Sequence, residues 1–421
     1  MTNKKNFLFL LLSLGMMLFG YALLLLNKRP MFEGLTISDF LIVPWLIIEF
    51  LLALFLEYVI LIRKRNEWLF PCAFFLANFS VLILGRLEDN LMISQIRWII
   101  VGILACFVTL RFDWMIRKLL NYKYLWGILC FILFTLTIFK AQNINGIANC
   151  IMIGNIRLQP LEFIKILFVF FLAAYLGNTI KTNNLQNRKN SLFKLLELKF
   201  FILILCLCSF LLFVITNDLA NSLIIFSVTV VLTYIGTSSK TTLFIPIICF
   251  VLCLAISYFT HPNIKIVFDT WLDPRINSSD FAKQTIESLF SFMAGGIWGE
   301  GFTMGYSNFI FEAHINSVFQ IIAEDFGLVG IICIMLIYIL FFYQSVTIAF
   351  KLKNESEIFL SYGIGLLFFI QMFITVCAVV NILPIVNNVL PFMNYGASSM
   401  VSNFILLGVL ISISRKANYN G

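Results

Sequence analysis

Opposite charges inside an apolar run are the first feature of this sequence that could do chemistry. Glu162 and Lys165 lie three residues apart at the start of such a run, so a helix would place both side chains on one face, where they can pair. Pro160 suits the first position of that helix, and Glu162 then lies near its positive end. Burying an ionisable group in hydrocarbon is costly. The pair is therefore either structural, joining two membrane spans, or part of a polar surface that faces a cavity.

Two aspartates lie where the chain leaves its apolar runs. Asp218 is flanked by Asn217 and Asn221 in a tight turn, and it could either cap the following helix or face a substrate. Asp273 precedes Pro274, which favours an extended backbone at the aspartate. Asp273 is either a turn-forming residue or, at a membrane-embedded surface, a general base.

Four further acids lie inside apolar runs. Glu324 and Asp325 are adjacent and precede Gly327. Neighbouring side chains on a helix point about 100° apart, so these two are not expected to form an acid–base dyad. For Glu49 and Glu57 the sequence indicates only pairing between helices.

A long polar segment, residues 260–316, holds both His residues and a Gly-rich run from Gly295 to Gly305. Long ordered loops are usually functional, and the alternative is a solvated connector. Within the segment, Ile286 to Ala294 is apolar enough to dip into the membrane as a re-entrant element. His314 could be a ligand or a base, but a single His without a partner at metal-ligand spacing is weak support for a metal.

Composition identifies the elements that must position these residues. The chain has 421 residues, of which 61% are hydrophobic and 12% charged, whereas soluble domains have about 25% charged residues. Hydrocarbon must therefore be the main solvent, and there only helices or a closed barrel satisfy the backbone. The apolar runs are continuous and about 17–23 residues long, as membrane helices require. We predict an all-α polytopic membrane protein with no large soluble domain.

Basic residues fix the predicted topology, because they concentrate in every second connection between spans. Both termini are predicted to be cytoplasmic, and segment 260–316 is predicted to be extracellular, between spans nine and ten. The first apolar run is too long for a signal peptide and lacks a cleavage site, so we expect it to be retained. Residues 1–66 are expected to form two additional spans before a core in 67–421. The twelve expected spans are 6–26, 40–62, 68–85, 96–112, 122–139, 160–178, 198–216, 219–236, 243–259, 317–348, 357–381 and 397–414.

Two other classes of function are disfavoured by the same composition. The net charge of +8 comes from basic residues in short loops, which set orientation in the membrane and do not indicate nucleic-acid binding. Of the ten Cys, only Cys150 lies in a polar loop. A disulfide framework or a thiolate metal site is therefore not expected.

Several motifs follow one another between residues 80 and 415. In that order they resemble the motifs of the SEDS family (shape, elongation, division and sporulation), whose members include the FtsW, RodA and SpoVE proteins. The motifs are Arg86-Leu87 with Gln95 and Trp98, Ile153-Gly154 with Gln159-Pro160-Leu161-Glu162 and Lys165, Asn217-Asp218-Leu219-Ala220-Asn221-Ser222, Trp271-Leu272-Asp273-Pro274, Glu324-Asp325-Phe326-Gly327, and Leu390-Pro391-Phe392-Met393-Asn394-Tyr395-Gly396-Ala397-Ser398-Ser399.

The resemblance implies a peptidoglycan glycosyltransferase that polymerises lipid II at the outer face of the bacterial plasma membrane, beside a class B penicillin-binding protein. Asp273 matches the family's essential acid, which would deprotonate the acceptor 4-hydroxyl. Arg275, Lys283 and Lys165, or a divalent cation such as Mg²⁺ or Mn²⁺, would stabilise the leaving pyrophosphate. The other substrate-binding positions implied are Gln159, Glu162, Asp218, Gln284, Ser288, His314, Asn316, Tyr395, Ser398 and Ser399.

Three departures from the family pattern keep other functions open. Asn149-Cys150 replaces an Arg-Trp pair, Leu161 replaces a Ser, and Ile315-Asn316 replaces Thr-Asp. Loss of a cation and a carboxylate favours a non-catalytic scaffold or regulator of a class B penicillin-binding protein. A flippase of lipid-linked sugars is a third alternative, but it should show paired broken helices in two related halves, and the sequence shows no such repeat.

Overall fold

The structure is a computed structural model that describes residues 2–28, 42–62, 68–140, 142–144, 147–153, 156–184, 218–275, 280–305, 318–384 and 390–419, with positions 211, 214 and 216. Within these residues, ten helices are long and apolar enough to cross a membrane. The predicted polytopic α-helical membrane protein is thus confirmed. The total number of spans and the cytoplasmic location of both termini stay predictions.

The N-terminal helices α1 (Thr2–Lys28) and α2 (Ile42–Ile62) pack against α3 (Leu69–Leu87) and α4 (Asp89–Arg111), respectively. In the membrane-length window of α3, 89% of the residues are buried. That helix therefore lies at the centre of the bundle. The remaining helices are α5 (Asp113–Leu119), α6 (Lys123–Lys140), α7 (Pro160–Asn184), α8 (Leu219–Thr237), α9 (Lys240–Thr260), α10 (Pro262–Leu272), α11 (Asp280–Gly295), α12 (Val318–Lys351), α13 (Glu355–Val379) and α14 (Ala397–Tyr419).

Five long helices, α4, α7, α12, α13 and α14, make up most of the core. Helix α14 packs against α4, α13 packs against α7, and α12 packs against α13. Helix α6 covers α7 but has only 6% of its membrane-length window buried. Its apolar side chains therefore face outward, as expected of a helix at the lipid boundary.

A small antiparallel sheet, which sequence analysis did not anticipate, precedes α7. Its strands β1 (Gln142–Ile144), β2 (Ile147–Ile153) and β3 (Ile156–Leu158) pair in the order β1-β2-β3. Strands this short give little periodicity in a sequence. The sheet ends two residues before Pro160 and contacts α14, so it helps to set where α7 begins.

Eleven of the twelve expected spans coincide with described helices. The exception, 198–216, lies outside the described residues apart from positions 211, 214 and 216. Helix α4 begins at Asp89, earlier than the expected start at 96, because its first turns are polar and lie beyond the apolar run. Helix α12 contains a break at Gly327, where φ is 60° and ψ is −160°.

The long segment predicted over 260–316 is partly helical. It contains α10 and α11, and the apolar stretch Ile286–Ala294 lies within α11. Helix α11 packs along α12. Its depth in the membrane stays a prediction.

Candidate functional site

Several helix ends meet at one end of the bundle, and many of the predicted site residues lie there. The backbone N–H of Gln159 donates to Ser398 Oγ at 3.0 Å, which joins the start of α7 to the start of α14. The Gln95 side chain in α4 donates to the Asn394 carbonyl at 3.4 Å. These contacts bring together parts of the chain that are up to 299 residues apart.

Glu162 and Lys165 form a buried ion pair in the first turns of α7. Lys165 Nζ donates to Glu162 Oε1 at 2.8 Å, and the two side chains are only 2% and 3% exposed. Ser402 Oγ lies 3.4 Å from Glu162 Oε2, and its single hydroxyl proton is shared with the Ser399 carbonyl oxygen at 2.9 Å. A buried pair of this kind needs such additional hydrogen bonds to offset the cost of desolvation. The pairing predicted from the three-residue spacing is therefore confirmed, and a substrate-facing role for the pair stays a prediction.

Polar side chains surround this pair at the start of α14. Ser398 and Ser399 are buried and Tyr395 is half-buried. Ser399 Oγ accepts a hydrogen bond from Asn403 Nδ2 at 3.3 Å. Because α7 and α14 both begin here, the positive ends of their helix dipoles make this end of the bundle favourable for negatively charged groups.

Cys150, which departs from the family pattern, lies beside the same site. The Gln159 side chain donates to Cys150 Sγ at 3.7 Å, and the cysteine is buried. Cys150 therefore helps to hold Gln159 but adds no charge to the site.

Asp218 caps α8. Its Oδ1 accepts from the Asn221 backbone N–H at 3.0 Å, and its Oδ2 accepts from the Asn221 side chain at 2.8 Å. The residue is 4% exposed. Of the two roles considered from sequence, the cap is confirmed, and contact with substrate stays a prediction.

Asp273 follows α10 and presents an accessible carboxylate. Its backbone is extended, with φ −144° and ψ 97°, as the following proline favours. Oδ1 accepts from the Arg275 backbone N–H at 3.0 Å and lies 3.6 Å from the Arg275 guanidinium. The side chain is 44% exposed, and Oδ2 has no hydrogen-bond partner within the described part of the chain. Such an oxygen could accept a proton from a substrate hydroxyl.

The predicted residues of α11 divide between the interior and the surface. Ser288 Oγ donates to the Gln284 carbonyl at 2.6 Å and accepts from the Gln320 side chain of α12. These three residues are buried, whereas Lys283 is exposed. Gln284 and Ser288 therefore attach α11 to α12, and Lys283 faces outward.

The structure does not bring all predicted residues into one cluster. Among the described residues, no hydrogen bond or ion pair joins Asp273 to Glu162 or Lys165. His314 and Asn316 lie outside the described residues. Within the described ranges, no group of three or more His, Cys, Asp or Glu residues is arranged to hold a metal ion, so the donors for a divalent cation are not assigned.

The partners of Arg86 are functional candidates that sequence analysis missed. The Arg86 guanidinium in α3 donates to the Asp325 carboxylate in α12 and to the Gly305 carbonyl oxygen. The Arg86 and Asp325 side chains are 6% and 0% exposed. A lone arginine near the end of an apolar helix does signal a need for an acidic partner, but the sequence offers several acids.

The Gly-rich run lies against the break in α12 and supplies hydrogen-bond partners for the α12 backbone at that break. A Cβ at Gly299 would come within 2.2 Å of the Asp325 carbonyl oxygen, and one at Gly327 within 2.4 Å of the Gly299 nitrogen. Only glycine permits this approach. The hydrogen bonds across the break run from Glu300 N to Glu324 O at 3.0 Å, Gly301 N to Asp325 O at 3.0 Å, Leu328 N to Gly296 O at 3.0 Å and Val329 N to Ile297 O at 3.2 Å.

Comparison with known proteins places this arrangement in a family. Residues 68–419 match the FtsW/RodA/SpoVE family of cell cycle proteins. Peptidoglycan glycosyltransferase RodA of Mycobacterium leprae is 27% identical over 336 residues, which cover 77% of this chain and 70% of that protein. Stage V sporulation protein E of Bacillus subtilis is 25% identical over 327 residues, covering 76% and 85%.

The fold is also that of a solved structure described as a peptidoglycan synthase complex that coordinates polymerization and crosslinking. The superposition has a TM-score of 0.68 at 18% identity and covers 84% of this chain and 98% of that one. The family match begins one residue before α3 and extends through α14. The chain therefore belongs to the FtsW/RodA/SpoVE family.

Proposed function

We propose that this chain is a peptidoglycan glycosyltransferase of the bacterial plasma membrane that polymerises lipid II into glycan strands, for elongation, division or sporulation. The observation that carries the proposal is the exposed Asp273 carboxylate, which lies at the family's acidic position with Oδ2 free to accept a proton. Relatives across most of the chain bear the same activity in their names. The multi-pass helical bundle suits a substrate anchored in lipid.

In the proposed reaction, Asp273 Oδ2 takes the proton of the acceptor sugar's 4-hydroxyl. The oxygen then attacks the anomeric carbon of the donor, and a new C–O bond forms. The bond from that carbon to the pyrophosphate breaks, and undecaprenyl pyrophosphate departs with the electron pair. Because pyrophosphate is a good leaving group, the step needs a base and electrostatic stabilisation more than it needs a general acid.

Positive potential for the pyrophosphate comes from two places. Arg275 lies next to Asp273 and is 89% exposed, so its guanidinium can reach a ligand. The second place is the joint start of α7 and α14, where the positive ends of two helix dipoles lie and where Lys165 pairs with Glu162 in the first turns of α7. Because Lys165 is already paired with Glu162, it can offer the pyrophosphate a hydrogen-bond donor in a fixed position, but the pair as a whole adds little net charge.

The proposed partner is a class B penicillin-binding protein, which would crosslink the strands. Support comes from the solved complex with the same fold, whose description couples polymerization to crosslinking. A scaffold without catalysis is the second candidate. Cys150 favours it, since the buried thiol stands where the family pattern has part of an Arg-Trp pair and supplies no cation.

Polymerisation of labelled lipid II by the purified full-length protein, alone and with its partner, tests the proposal. We expect glycan strands from the wild-type chain and none above background from Asp273→Asn. Equal activity of the two would refute the role of Asp273. Inactivity of wild type even with the partner would leave the scaffold as the better account.

A further inference from the structure

Two hydrogen bonds join Trp271, near the end of α10, to Asn381, just beyond the end of α13. The indole Nε1 of Trp271 donates to the Asn381 carbonyl oxygen at 2.9 Å. In return, Asn381 Nδ2 donates to the Trp271 carbonyl oxygen at 3.4 Å. Asp273 follows two residues after Trp271. We propose that this reciprocal pair positions the Asp273 carboxylate for the reaction proposed above, on which the inference rests.

The Asn381 side of the pair is held by the end of α13. Asn381 has a left-handed backbone with φ 58°, which asparagine tolerates better than most residues. Its N–H donates to the Ala378 carbonyl at 3.0 Å, and the N–H groups of Ile382 and Leu383 both donate to Cys377 O, at 2.8 and 3.2 Å. These bonds close the C-terminal turn of the helix. The Asn381 carbonyl oxygen that receives the indole is therefore fixed in direction.

The last turn of α10 connects Trp271 to Asp273, so a fixed Trp271 also fixes where Asp273 lies. The Asp273 N–H donates to the Asp269 carbonyl at 3.0 Å, and Asp269 Oδ1 accepts from the Tyr258 hydroxyl at 2.9 Å. The second bond attaches α10 to the preceding helix α9. Loss of the indole bond would therefore loosen the end of α10 that carries Asp273, because the bond that stays, from Asn381 Nδ2 to the Trp271 carbonyl, is the longer of the two at 3.4 Å.

Loss of this attachment should lower the rate of the chemical step more than the affinity for substrate. A general base must lie within hydrogen-bonding distance of the proton it removes, and a displacement of about 1 Å can reduce a rate roughly 100-fold. Trp271 and Asn381 are positioning residues in this account, since they act through the place of Asp273. The simpler alternative makes Trp271 an apolar anchor, because its ring meets Phe268 edge-on at a centroid distance of 6.4 Å.

Substitution of single hydrogen-bonding groups separates these two roles. Trp271→Phe keeps one aromatic ring, and it removes the indole N–H together with part of the ring system. Trp126→Phe is the matched control, because Trp126 Nε1 donates to the Leu119 carbonyl at 3.0 Å elsewhere in the bundle. Asn381→Gly keeps both the left-handed backbone and the acceptor carbonyl, whereas Asn381→Val disfavours that backbone.

Steady-state polymerisation of lipid II by full-length protein with its partner is the first readout. We expect Trp271→Phe and Asn381→Val to lower kcat by about tenfold with KM changed by less than about twofold. Trp126→Phe should stay within about threefold of wild type. Asn381→Gly should lose less activity than Asn381→Val, because it keeps the carbonyl that accepts the indole bond and loses the side-chain bond to the Trp271 carbonyl. The double variant Trp271→Phe, Asn381→Val should be no worse than either single one, because both break the same attachment. Equal effects of Trp271→Phe and Trp126→Phe, or a loss confined to KM, would overturn the proposal.

Hydrogen–deuterium exchange over residues 262–275 is the second readout, and it requires no activity. Trp271→Phe should speed exchange there, while Trp126→Phe should leave it unchanged. Unchanged exchange in Trp271→Phe would overturn the positioning role whether or not the chain polymerises lipid II. Faster exchange with an inactive wild-type chain would instead refute the proposed function and leave the attachment itself standing.

Discussion

Arg86 and Asp325 form a buried ion pair that joins α3 to the break in α12, although 239 residues separate them in sequence. The second donor group of Arg86 binds the Gly305 carbonyl at the end of the Gly-rich run. One guanidinium thus holds three parts of the chain together. The planar fork of arginine suits this geometry, and a lysine would supply the charge without it.

Replacing Arg86 should destabilise the protein strongly. Arg86→Ala would leave the Asp325 carboxylate buried without its partner, which typically costs about 3–5 kcal/mol. We expect a clear fall in the unfolding temperature in detergent, and a smaller fall for Arg86→Lys. Arg97→Ala is the control, because Arg97 is exposed on the neighbouring helix α4. An unfolding temperature of Arg86→Ala equal to that of Arg97→Ala would contradict the importance of the pair.

Two glycines of the same run should respond differently to alanine. Gly299 has φ 81°, and a Cβ added there would lie 2.2 Å from the Asp325 carbonyl oxygen. Gly296 has φ 52°, and a Cβ added there would have no neighbouring atom within 4 Å. Gly296→Ala should cost about 1–2 kcal/mol for the left-handed backbone alone. Gly299→Ala should cost more and expose the run to limited proteolysis. Equal proteolysis of the two variants would show that the run does not depend on close contact with α12.

The Glu162–Lys165 pair can be tested for structural and functional roles together. Glu162→Gln or Lys165→Met alone would leave one buried charge uncompensated and lower thermal stability. The double variant removes both charges and should recover much of the loss. If the pair serves substrate binding, lipid II polymerisation stays low in the stable double variant. Recovery of both stability and activity would assign the pair to structure alone.

The capping role and the substrate-binding role of Asp218 can be separated in the same way. Asparagine is as good a helix cap as aspartate, whereas Ala at this position typically costs about 1 kcal/mol. Asp218→Asn should therefore keep the unfolding temperature, and Asp218→Ala should lower it. A substrate-facing role predicts that polymerisation falls in Asp218→Asn despite the intact cap. Wild-type activity in that variant would limit Asp218 to capping α8.

The sequence was sufficient for the features that depend on local chemistry. Hydrocarbon length set the spans, the three-residue spacing anticipated the Glu162–Lys165 pair, and Pro274 anticipated the extended backbone at Asp273. The contacts between distant segments were not predictable in the same way. The residues around Arg86 in the sequence do not indicate which acid pairs with it. The packing of α3 against α12 determines that the partner is Asp325.

Backbone irregularities were a second limit. A 34-residue apolar helix reads as continuous, yet α12 breaks at Gly327. The break is tolerated because the Gly-rich run supplies hydrogen-bond partners from another part of the chain. The sheet before α7 was not predicted either, because two of its strands have only three residues and so leave no clear periodicity in the sequence.

The most direct test of the central claim compares two carboxyl-to-amide changes within residues 260–316. Glu300 is exposed, so Glu300→Gln removes the same charge as Asp273→Asn without touching the proposed base. The measurement is the initial rate of glycan strand formation from labelled lipid II by the full-length protein with its partner. We predict a rate near wild type for Glu300→Gln and a loss of at least about 100-fold for Asp273→Asn. Equal rates for the two variants would contradict Asp273 as the catalytic base.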